Sequence, residues 1–311
     1  MTIFVSLASY IDEELFFTLK DCIQKAKFPN NIFFGVVDQN INSQKNFVDE
    51  LEFSKQVRYV YVDYLETFGV CWARNIAFSL YNSEDFLLQI DSHTLFEQDW
   101  DEQLISLYNQ LKDKSPKPII STYPYGFTFD ENHIPQHKPQ LNKTALCLKV
   151  HPDTTLSQES CILRFRAEHI FSKEPINGYH LAGGFIFTSG KFIDEVPYDP
   201  FLYFHGEEQS LAIRAYTRGW DIYHPVHIPL YHLYKKANTE YTNHHWHKDT
   251  EKKRVLNYAH LKQRAIKRLN KIFYGDGMKE SHYGLGNIRS LDEFIDFSGI
   301  DYKNKLIIKK K

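Results

Sequence analysis

The chain has 311 residues, of which 42% are hydrophobic and 24% charged, a length that accommodates one large α/β core with a C-terminal appendage or two smaller cores. No apolar run approaches the roughly 18 residues that a membrane-spanning helix needs, so a transmembrane protein is excluded. The four cysteines form no CxxC pair and the chain opens on a strand-like segment rather than a leader, which predicts a reduced, cytoplasmic protein.

The net charge of −2 is unevenly distributed along the chain. From Tyr234 to the end there are 18 Lys and Arg residues and 9 Asp and Glu residues. The residues before Tyr234 include 19 Lys and Arg and 30 Asp and Glu. This basic C-terminal region suits an anionic ligand, peripheral contact with an anionic membrane, or a solvated surface. The lysines at 309–311 are the candidate lipid contact. No RNP-like or helix-turn-helix motif is present, so nucleic acid is excluded as a partner.

Strand-like and helical segments alternate in the first part of the chain. Short apolar runs predict strands at residues 3–9, 32–37, 57–62 and 86–90. Between them, Asp12 is a candidate N-cap of a first helix. Residues 72–80 predict a second helix, with an apolar face formed by Trp72, Ala73, Ile76, Ala77 and Leu80. The alternation predicts an α/β fold with a mostly parallel central sheet and flanking helices.

The middle of the chain has a weaker pattern. A helix is predicted at residues 100–111 and a strand at 119–123, whereas residues 126–139 show no period and are expected to form a long functional or mobile loop. Residues 146–150 and 162–165 are predicted strands that extend the sheet as a second, mixed part. In the glycine-punctuated strand at 178–190, the pair Gly183-Gly184 permits close approach of a ligand or another backbone.

Two carboxylates open a helical segment later in the chain. Glu207 and Glu208 fall in its first turn, where the helix dipole favours negative charge. Further on, residues 251–273 predict a basic amphipathic helix with Val255 on its apolar side. The histidines within residues 244–247 lie in a polar, aperiodic segment, and we expect an exposed, mobile loop there.

Asp91 and His93 directly follow the strand predicted at 86–90, and their spacing lets both side chains leave the same face. An isolated DxH pattern more often has a structural role. However, Asp91, His93, Glu207, Glu208 and His232 all fall beside predicted element ends, where α/β folds place their sites. Oxygen and imidazole ligands together suit Mn²⁺ or Mg²⁺, and no thiolates are arranged for zinc. We therefore expect a divalent-cation site, with Mn²⁺ as the first choice.

Several common enzyme classes lack their motifs in this chain. There is no GxGxxG or GxxxxGK[ST] loop, which argues against a dinucleotide enzyme or a P-loop nucleotidase. There is no GxSxG nucleophile elbow either. Aromatic residues make up 15% of the chain, more than a core usually requires, and carbohydrate is one ligand class that uses their ring faces.

Six sequence blocks together resemble a known family: FVSLASY, GVCWARNIA, LLQIDSH, VPYDPFLYFHGEEQSLAIRAYTRGWDIYHP, YHLY and YGLGNIRSLDEF. They span nearly the whole chain, and the GEE block with LQIDSH is the most specific part. The chain resembles a GT-A fold, retaining N-acetylglucosaminyltransferase of glycosyltransferase family 60, which includes cytoplasmic enzymes that attach GlcNAc to hydroxyproline. The resemblance implies a nucleotide-diphospho-sugar transferase fold with a helical, basic C-terminal extension.

The resemblance also implies roles for individual residues. Asp91 and His93 match the DxH of the family, and His232 matches a late histidine that completes the metal ligands. Glu207 and Glu208 match the catalytic carboxylate pair beside the donor sugar and the acceptor. Contacts to the nucleotide and its diphosphate are implied for Ser9, Tyr10, Gln39, Arg74, Asp91 and Lys235. Residues 235–246 are expected to form a lid that closes over the diphosphate.

The implied organisation is a GT-A catalytic core at residues 1–234, with a nucleotide-binding half at 1–93 and an acceptor and catalytic half at 94–234. Residues 235–311 then form the lid and the basic extension packed on the core. The implied function is metal-dependent, retaining transfer of GlcNAc from a UDP-GlcNAc donor to a hydroxyl of a protein or glycan acceptor. Two alternatives stay open at this point: a catalytically inactive UDP-sugar or glycan-binding module, and a metal-dependent nucleotide-sugar hydrolase.

Overall fold

The computed structural model describes residues 1–234 and 244–308. Its strands are β1 (Ile3–Tyr10), β2 (Ile32–Asn40), β3 (Val57–Asp63), β4 (Phe86–Asp91), β5 (Thr94–Phe96), β6 (Pro118–Ser121), β7 (Tyr125–Phe129), β8 (Pro135–His137), β9 (Thr144–Val150), β10 (Phe165–Phe171), β11 (Ile176–Gly178), β12 (Phe185–Ser189), β13 (Asp221–His224), β14 (Leu230–His232), β15 (Ile300–Asp301) and β16 (Leu306–Ile307). Its helices are α1 (Leu15–Lys25), α2 (Lys45–Asp49), α3 (Val70–Ser79), α4 (Trp100–Lys112), α5 (Lys191–Glu195), α6 (Glu207–Thr217), α7 (Lys248–Glu251), α8 (Tyr258–Phe273) and α9 (Leu291–Ser298).

The central sheet contains eight strands in the order β11-β13-β6-β12-β4-β1-β2-β3. The pairs β1–β2, β1–β4 and β2–β3 are parallel, as is β6–β13. Strand β12 runs antiparallel to both β4 and β6, and β11 runs antiparallel to β13. The α/β class with a central sheet and flanking helices is confirmed, and β1 to β4 form an all-parallel half of the sheet.

The central sheet buries a separate apolar cluster on each face. Because neighbouring residues of a strand point to opposite faces, Phe4 and Leu87 join the cluster under α3, α6 and α8, whereas Val5 and Leu88 join the cluster under α1 and α4. Each fully buried side chain of this size contributes about 1.5–3 kcal/mol relative to exposure. This two-sided burial explains the continuous apolar runs and holds the carboxyl ends of β1, β2 and β4 at one edge of the sheet.

Residues 126–139 form a hairpin, so the expectation of a long loop was wrong. Strands β7 and β8 pair antiparallel and join β5 and β14 in a small four-stranded sheet. Phe127 is buried there against Leu95 and Tyr231. The alternation of Phe127 and Phe129 with polar residues is a strand pattern that the flanking prolines obscured.

The strands predicted at 146–150 and 162–165 do not extend the central sheet. Instead, β9 and β10 pair with each other in a separate two-stranded antiparallel sheet. The second strand begins at Phe165, where the sequence predicted an end. Leu163, in the segment before it, is buried in the core under α6 and α8, so its apolar character reflects burial rather than strand pairing.

Two predicted helices differ from the observed ones in phase or length. In α3 the buried side chains include Cys71, Arg74 and Phe78, whereas Trp72 is only partly buried. Helix α8 begins at Tyr258, because Asn257 caps it by accepting a hydrogen bond from the backbone N–H of His260. Val255 therefore lies before the helix and is 96% exposed.

The C-terminal helices pack on the same core as the residues before them. Leu261 and Leu269 of α8 and Phe294 of α9 belong to one buried cluster with Leu211 of α6. A capping box between Ser290 and Glu293 starts α9. Within residues 1–234 and 244–308, no helix combines the length and apolar character needed to cross a membrane.

Candidate active site

The carboxyl ends of three parallel strands meet at one edge of the central sheet. Asp91 ends β4 and pairs in register with Ala8 of β1, and Tyr10 at the end of β1 pairs with Gln39 of β2. Open α/β sheets bind their ligands at such an edge. The small sheet brings His232 to the same place, because β14 pairs with β5 so that His232 lies opposite Thr94.

Asp91, His93 and His232 converge as predicted. One potential ligand atom from each residue lies within 4.8 Å of the others, and the two imidazole rings have centroids 4.7 Å apart. Burial lowers the pKa of His232, with the neighbouring His93 adding to this and Asp91 opposing it, so its imidazole is neutral and keeps a lone pair for a metal ion. A carboxylate with two imidazoles is a donor set that fits Mn²⁺.

Asp12 supports His93 and was not predicted as a site residue. Its Oδ2 lies 2.5 Å from Nδ1 of His93 and accepts a 2.7 Å hydrogen bond from the hydroxyl of Ser92. The sequence pattern indicated a helix cap, but α1 begins at Leu15 without a side-chain cap. Oδ1 of Asp12 accepts a hydrogen bond from the backbone N–H of Glu14, while Oδ2 contacts the turn that follows β4.

Arg74 connects the candidate metal ligands to the carboxylates of α6. Its Nη2 donates to Oδ1 of Asp91 and its Nη1 donates to Oε1 of Glu207, both at 2.8 Å. Burial raises the pKa of Asp91, but its hydrogen bond with His232 and the charge of Arg74 outweigh burial and hold that pKa well below the usual range. The guanidinium of Arg74 is itself buried. A buried positive charge needs a partner of opposite charge, and Asp91 and Glu207 are the carboxylates that contact it.

Gly183 and Gly184 leave space for the side chains of Arg74, Glu207 and Asp91. The sequence predicted that this glycine pair permits close approach. A Cβ at Gly183 would lie 2.4 Å from Nη1 of Arg74 and 2.5 Å from Oε1 of Glu207. A Cβ at Gly184 would lie 2.6 Å from Oδ2 of Asp91. Any larger residue at these positions displaces the cluster.

Glu207 and Glu208 begin α6 and have different environments. Gly206 precedes them with a φ of +84°, a conformation that glycine adopts without strain. Burial raises the pKa of Glu207 from 4.5 to about 7, opposed by Arg74 and assisted by Glu208 and Asp91. Its Oε2 is buried with no hydrogen-bond partner among the described residues. Glu207 therefore presents one oxygen that is available to a ligand.

Glu208 is held by three neighbours. Its Oε1 accepts a 2.7 Å hydrogen bond from the backbone N–H of Gly183, and its Oε2 accepts one of 3.0 Å from the hydroxyl of Tyr123. Nε2 of His180 lies 3.6 Å from Oε2. Burial raises the pKa of Glu208, but His180, Gly183 and Tyr123 outweigh burial and lower it. Glu208 is thus an ionised acceptor, whereas Glu207 is readily protonated.

Two cavities adjoin at Asp91. The first, of about 470 Å³, is lined by Tyr10, Gln39 and the candidate metal ligands. The second, of about 390 Å³, is lined by Arg74, Glu207 and Glu208 together with Tyr123 and His180. The residues that line both are Val70, Asp91, Phe204 and His205. A ligand that occupies the first cavity would therefore reach the second beside Asp91.

Of the residues predicted to contact the nucleotide, Tyr10 and Gln39 line the first cavity. The Oε1 of Gln39 is buried and has no hydrogen-bond partner in residues 1–234 and 244–308, while its Nε2 donates to the carbonyl of Ser9. Ser9 is buried, but its side chain is not part of the cavity wall. Lys235 and most of the expected lid lie outside the described residues, as do lysines 309–311.

His245 lines the first cavity beside Tyr10, and Arg254 contacts both residues; sequence reasoning missed His245 and Arg254. His245 is buried, with Nδ1 at 2.8 Å from the hydroxyl of Tyr203 and Nε2 at 2.9 Å from the hydroxyl of Thr67. Arg254 donates to the Tyr10 hydroxyl and to the carbonyl of Tyr64. The expectation of an exposed loop was wrong for His245, because long-range hydrogen bonds hold this polar segment.

Solved structures of two other proteins are similar to this chain. GalNAc-T7, solved with UDP, GalNAc and Mn²⁺, matches all of this chain and 59% of its own, with 13% identity and a TM-score of 0.61. S. aureus TarS in complex with UDP-GlcNAc matches 88% of this chain and 73% of its own, with 15% identity and a TM-score of 0.46. No curated protein sequence matches significantly.

The fold is of the GT-A glycosyltransferase type. The family model described as Glycosyltransferase (GlcNAc) matches residues 2–51 and 42–304, which is nearly the whole chain. The protein belongs to this GlcNAc glycosyltransferase family.

Proposed function

We propose that this protein transfers GlcNAc from UDP-GlcNAc to a hydroxyl of a protein or glycan acceptor, with retention of configuration and dependence on a divalent cation. The position of Asp91 carries the proposal. This residue lies where the two cavities adjoin, and it links the candidate metal ligands to the Arg74–Glu207 pair. GalNAc-T7, which has the same type of fold, binds UDP, GalNAc and Mn²⁺. This supports a UDP-sugar and a metal ion as partners of this chain.

In this proposal the first cavity holds the nucleotide. Tyr10 and Gln39 would contact the base or the ribose, because they line this cavity and Oε1 of Gln39 has no hydrogen-bond partner among the described residues. Asp91, His93 and His232 would hold Mn²⁺ or Mg²⁺ beside the diphosphate. When bound, such a cation neutralises the negative charge that develops on the leaving diphosphate. Lys235 is proposed to add a second positive charge there.

The second cavity would hold the transferred sugar and the acceptor. Oε1 of Glu207 accepts a hydrogen bond from Arg74, and Oε2 has no hydrogen-bond partner in the described part of the chain. Oε2 would therefore bind a hydroxyl of the donor sugar. Glu208, ionised and held by Gly183 and Tyr123, would accept a hydrogen bond from the acceptor. Both carboxylates then orient hydroxyl groups. We assign neither carboxylate as a covalent nucleophile. We propose that the acceptor hydroxyl attacks the donor sugar on the same face from which the leaving group departs.

The most specific form of the proposal is membership of glycosyltransferase family 60, with a hydroxyproline acceptor, and its support is the sequence resemblance. A cytoplasmic location is also proposed, and it is supported by four cysteines that are all buried thiols without a disulfide. The domain division at residue 234 stays a prediction.

A panel of UDP-sugars with Mn²⁺ tests the proposal, with UDP release and the fate of the sugar measured together. A transferase releases UDP from UDP-GlcNAc and places the sugar on an added acceptor. An inactive binding module would bind UDP without turnover, and a hydrolase would release free sugar equally with and without acceptor. Either of these two results would overturn the proposed function.

A further inference from the structure

Asp12 is buried beside the candidate metal site but is not one of its three residues. Its carboxylate contacts two consecutive residues of the turn after β4, Ser92 and His93, through Oδ2. Its Oδ1 accepts a 3.1 Å hydrogen bond from the backbone N–H of Glu14. Both oxygens are thus held, so the carboxylate has a defined position relative to the His93 ring.

The contact with Asp12 determines which nitrogen of His93 carries hydrogen. A carboxylate oxygen accepts hydrogen bonds, so Nδ1 of His93, 2.5 Å from Oδ2, is the protonated nitrogen. In the neutral ring, Nε2 then carries the lone pair that a metal ion requires. Histidine ligands commonly depend on such a partner, which holds both the tautomer and the orientation of the ring.

The backbone before Asp12 has an unusual conformation. Ile11 has a φ of 45°, a strained conformation that is rare for a β-branched residue. Its N–H donates a 2.9 Å hydrogen bond to the carbonyl of Gln39 on β2. This turn lets the chain leave β1 toward the end of β4, where Asp12 meets His93. Strain of this kind persists where the surrounding structure enforces it, and it concentrates at functional sites.

We propose that Asp12 is a positioning residue of the metal site, which holds His93 in the Nδ1–H tautomer with Nε2 available for the cation. This inference rests on the proposed function, because that function places a divalent cation on His93. It extends the site to a residue on the loop between β1 and α1, and it explains why a strained turn lies next to the ends of the central strands.

The test measures two properties of the full chain: Mn²⁺ affinity, by electron paramagnetic resonance titration with the metal alone, and the tautomer of His93, by nitrogen-15 NMR without metal. Asp12→Ala should weaken Mn²⁺ binding about 10- to 100-fold and should shift His93 from the Nδ1–H form to a mixture. Asp12→Asn should have a smaller effect, since an amide oxygen still accepts one hydrogen bond. This isosteric variant carries the test if Asp12→Ala does not fold.

Asp21→Asn is the matched control. Asp21 is another buried carboxylate of the α1 region, and it accepts a 2.7 Å hydrogen bond from the backbone N–H of Phe96 without contact to a candidate ligand. Its replacement should change stability but neither Mn²⁺ affinity nor the His93 tautomer.

Two results would overturn the inference: a wild-type His93 that is not protonated on Nδ1, or an Asp12→Ala variant that binds Mn²⁺ like the wild type. His93→Ala separates this failure from failure of the proposed function. If His93→Ala loses Mn²⁺ while Asp12→Ala keeps it, only the role of Asp12 is wrong. If both variants bind Mn²⁺ normally, the metal assignment itself is wrong.

Discussion

A Cβ atom added at Gly184 would lie 2.6 Å from Oδ2 of Asp91. The main chain of the segment before β12 therefore packs against the carboxylate that ends β4. No side chain fits between them, because carbon and oxygen atoms this close repel each other. The absence of a side chain at residue 184 is thus a condition for the observed position of Asp91.

Gly184→Ala should displace the Asp91 carboxylate and so weaken Mn²⁺ binding and sugar transfer, with a loss of unfolding free energy of about 1–3 kcal/mol from overpacking. Gly126→Ala is the control, because a Cβ there would meet its nearest atom at 3.4 Å, an ordinary contact. Metal titration and thermal melting of both variants test this. Wild-type metal affinity in Gly184→Ala would show that Asp91 does not hold the cation in this position.

His93→Ala should lose Mn²⁺-dependent turnover with little change in melting temperature, because His93 follows the strand end and is not part of the apolar core. Asp91→Asn should lose turnover and also stability, since the buried Arg74 would lose one of the two carboxylates with which it pairs among the described residues. Activity assays with Mn²⁺ and thermal melting separate the two effects. Near wild-type turnover in either variant contradicts the metal assignment.

Glu207→Gln should reduce sugar transfer by at least about 100-fold, the scale of a lost transition-state interaction, while leaving UDP affinity nearly unchanged. The reason is that Glu207 lines the second cavity and not the first. Calorimetry with UDP and Mn²⁺, together with transfer assays, measures both quantities. Glu131→Gln, an exposed position in the β7–β8 turn, is the control. A parallel loss of UDP affinity would place Glu207 in the nucleotide site instead.

The stability of the ligand-free protein should depend on pH through Glu207. Its pKa rises from 4.5 to about 7 on folding, so folding favours the protonated form. This stabilisation is fully present below pH 4.5 and is lost as the pH rises through about 7. Relative to Glu207→Gln, which cannot ionise, the wild type should therefore become less stable across this range. A constant difference in melting temperature from pH 4.5 to 8 would exclude a buried, protonated Glu207.

His245 should produce the opposite dependence at lower pH. Burial, with the charge of Arg254, lowers its pKa from 6.5 to about 3, so folding favours the neutral ring. This stabilisation is present above pH 6.5 and is lost as the pH falls through about 3. The stability advantage of the wild type over His245→Gln should shrink below pH 6.5. If it does not shrink, His245 is not buried in the neutral form.

The local pattern of the sequence was sufficient for the strands that position the site. Apolar runs predicted β1 to β4, and in β1, β2 and β4 burial on both faces of the sheet selects apolar side chains at most positions. The same reasoning placed Asp91, His93, Glu207 and His232 beside element ends, and the structure brings these residues together. The pair Gly183-Gly184 was also identified, because glycine doublets in a strand permit close approach.

Only the tertiary structure showed which distant residues complete the site. Asp12 and His93 are 81 residues apart, Thr67 and His245 are 178 apart, and Arg254 reaches Tyr10 across 244. Periodicity describes the face of one element and contains no information on partners so far away in the chain. Without knowledge of their partners, Asp12 therefore resembled a helix cap and His245 a loop residue. They became buried, hydrogen-bonded groups because folding removes their water and supplies protein partners in its place.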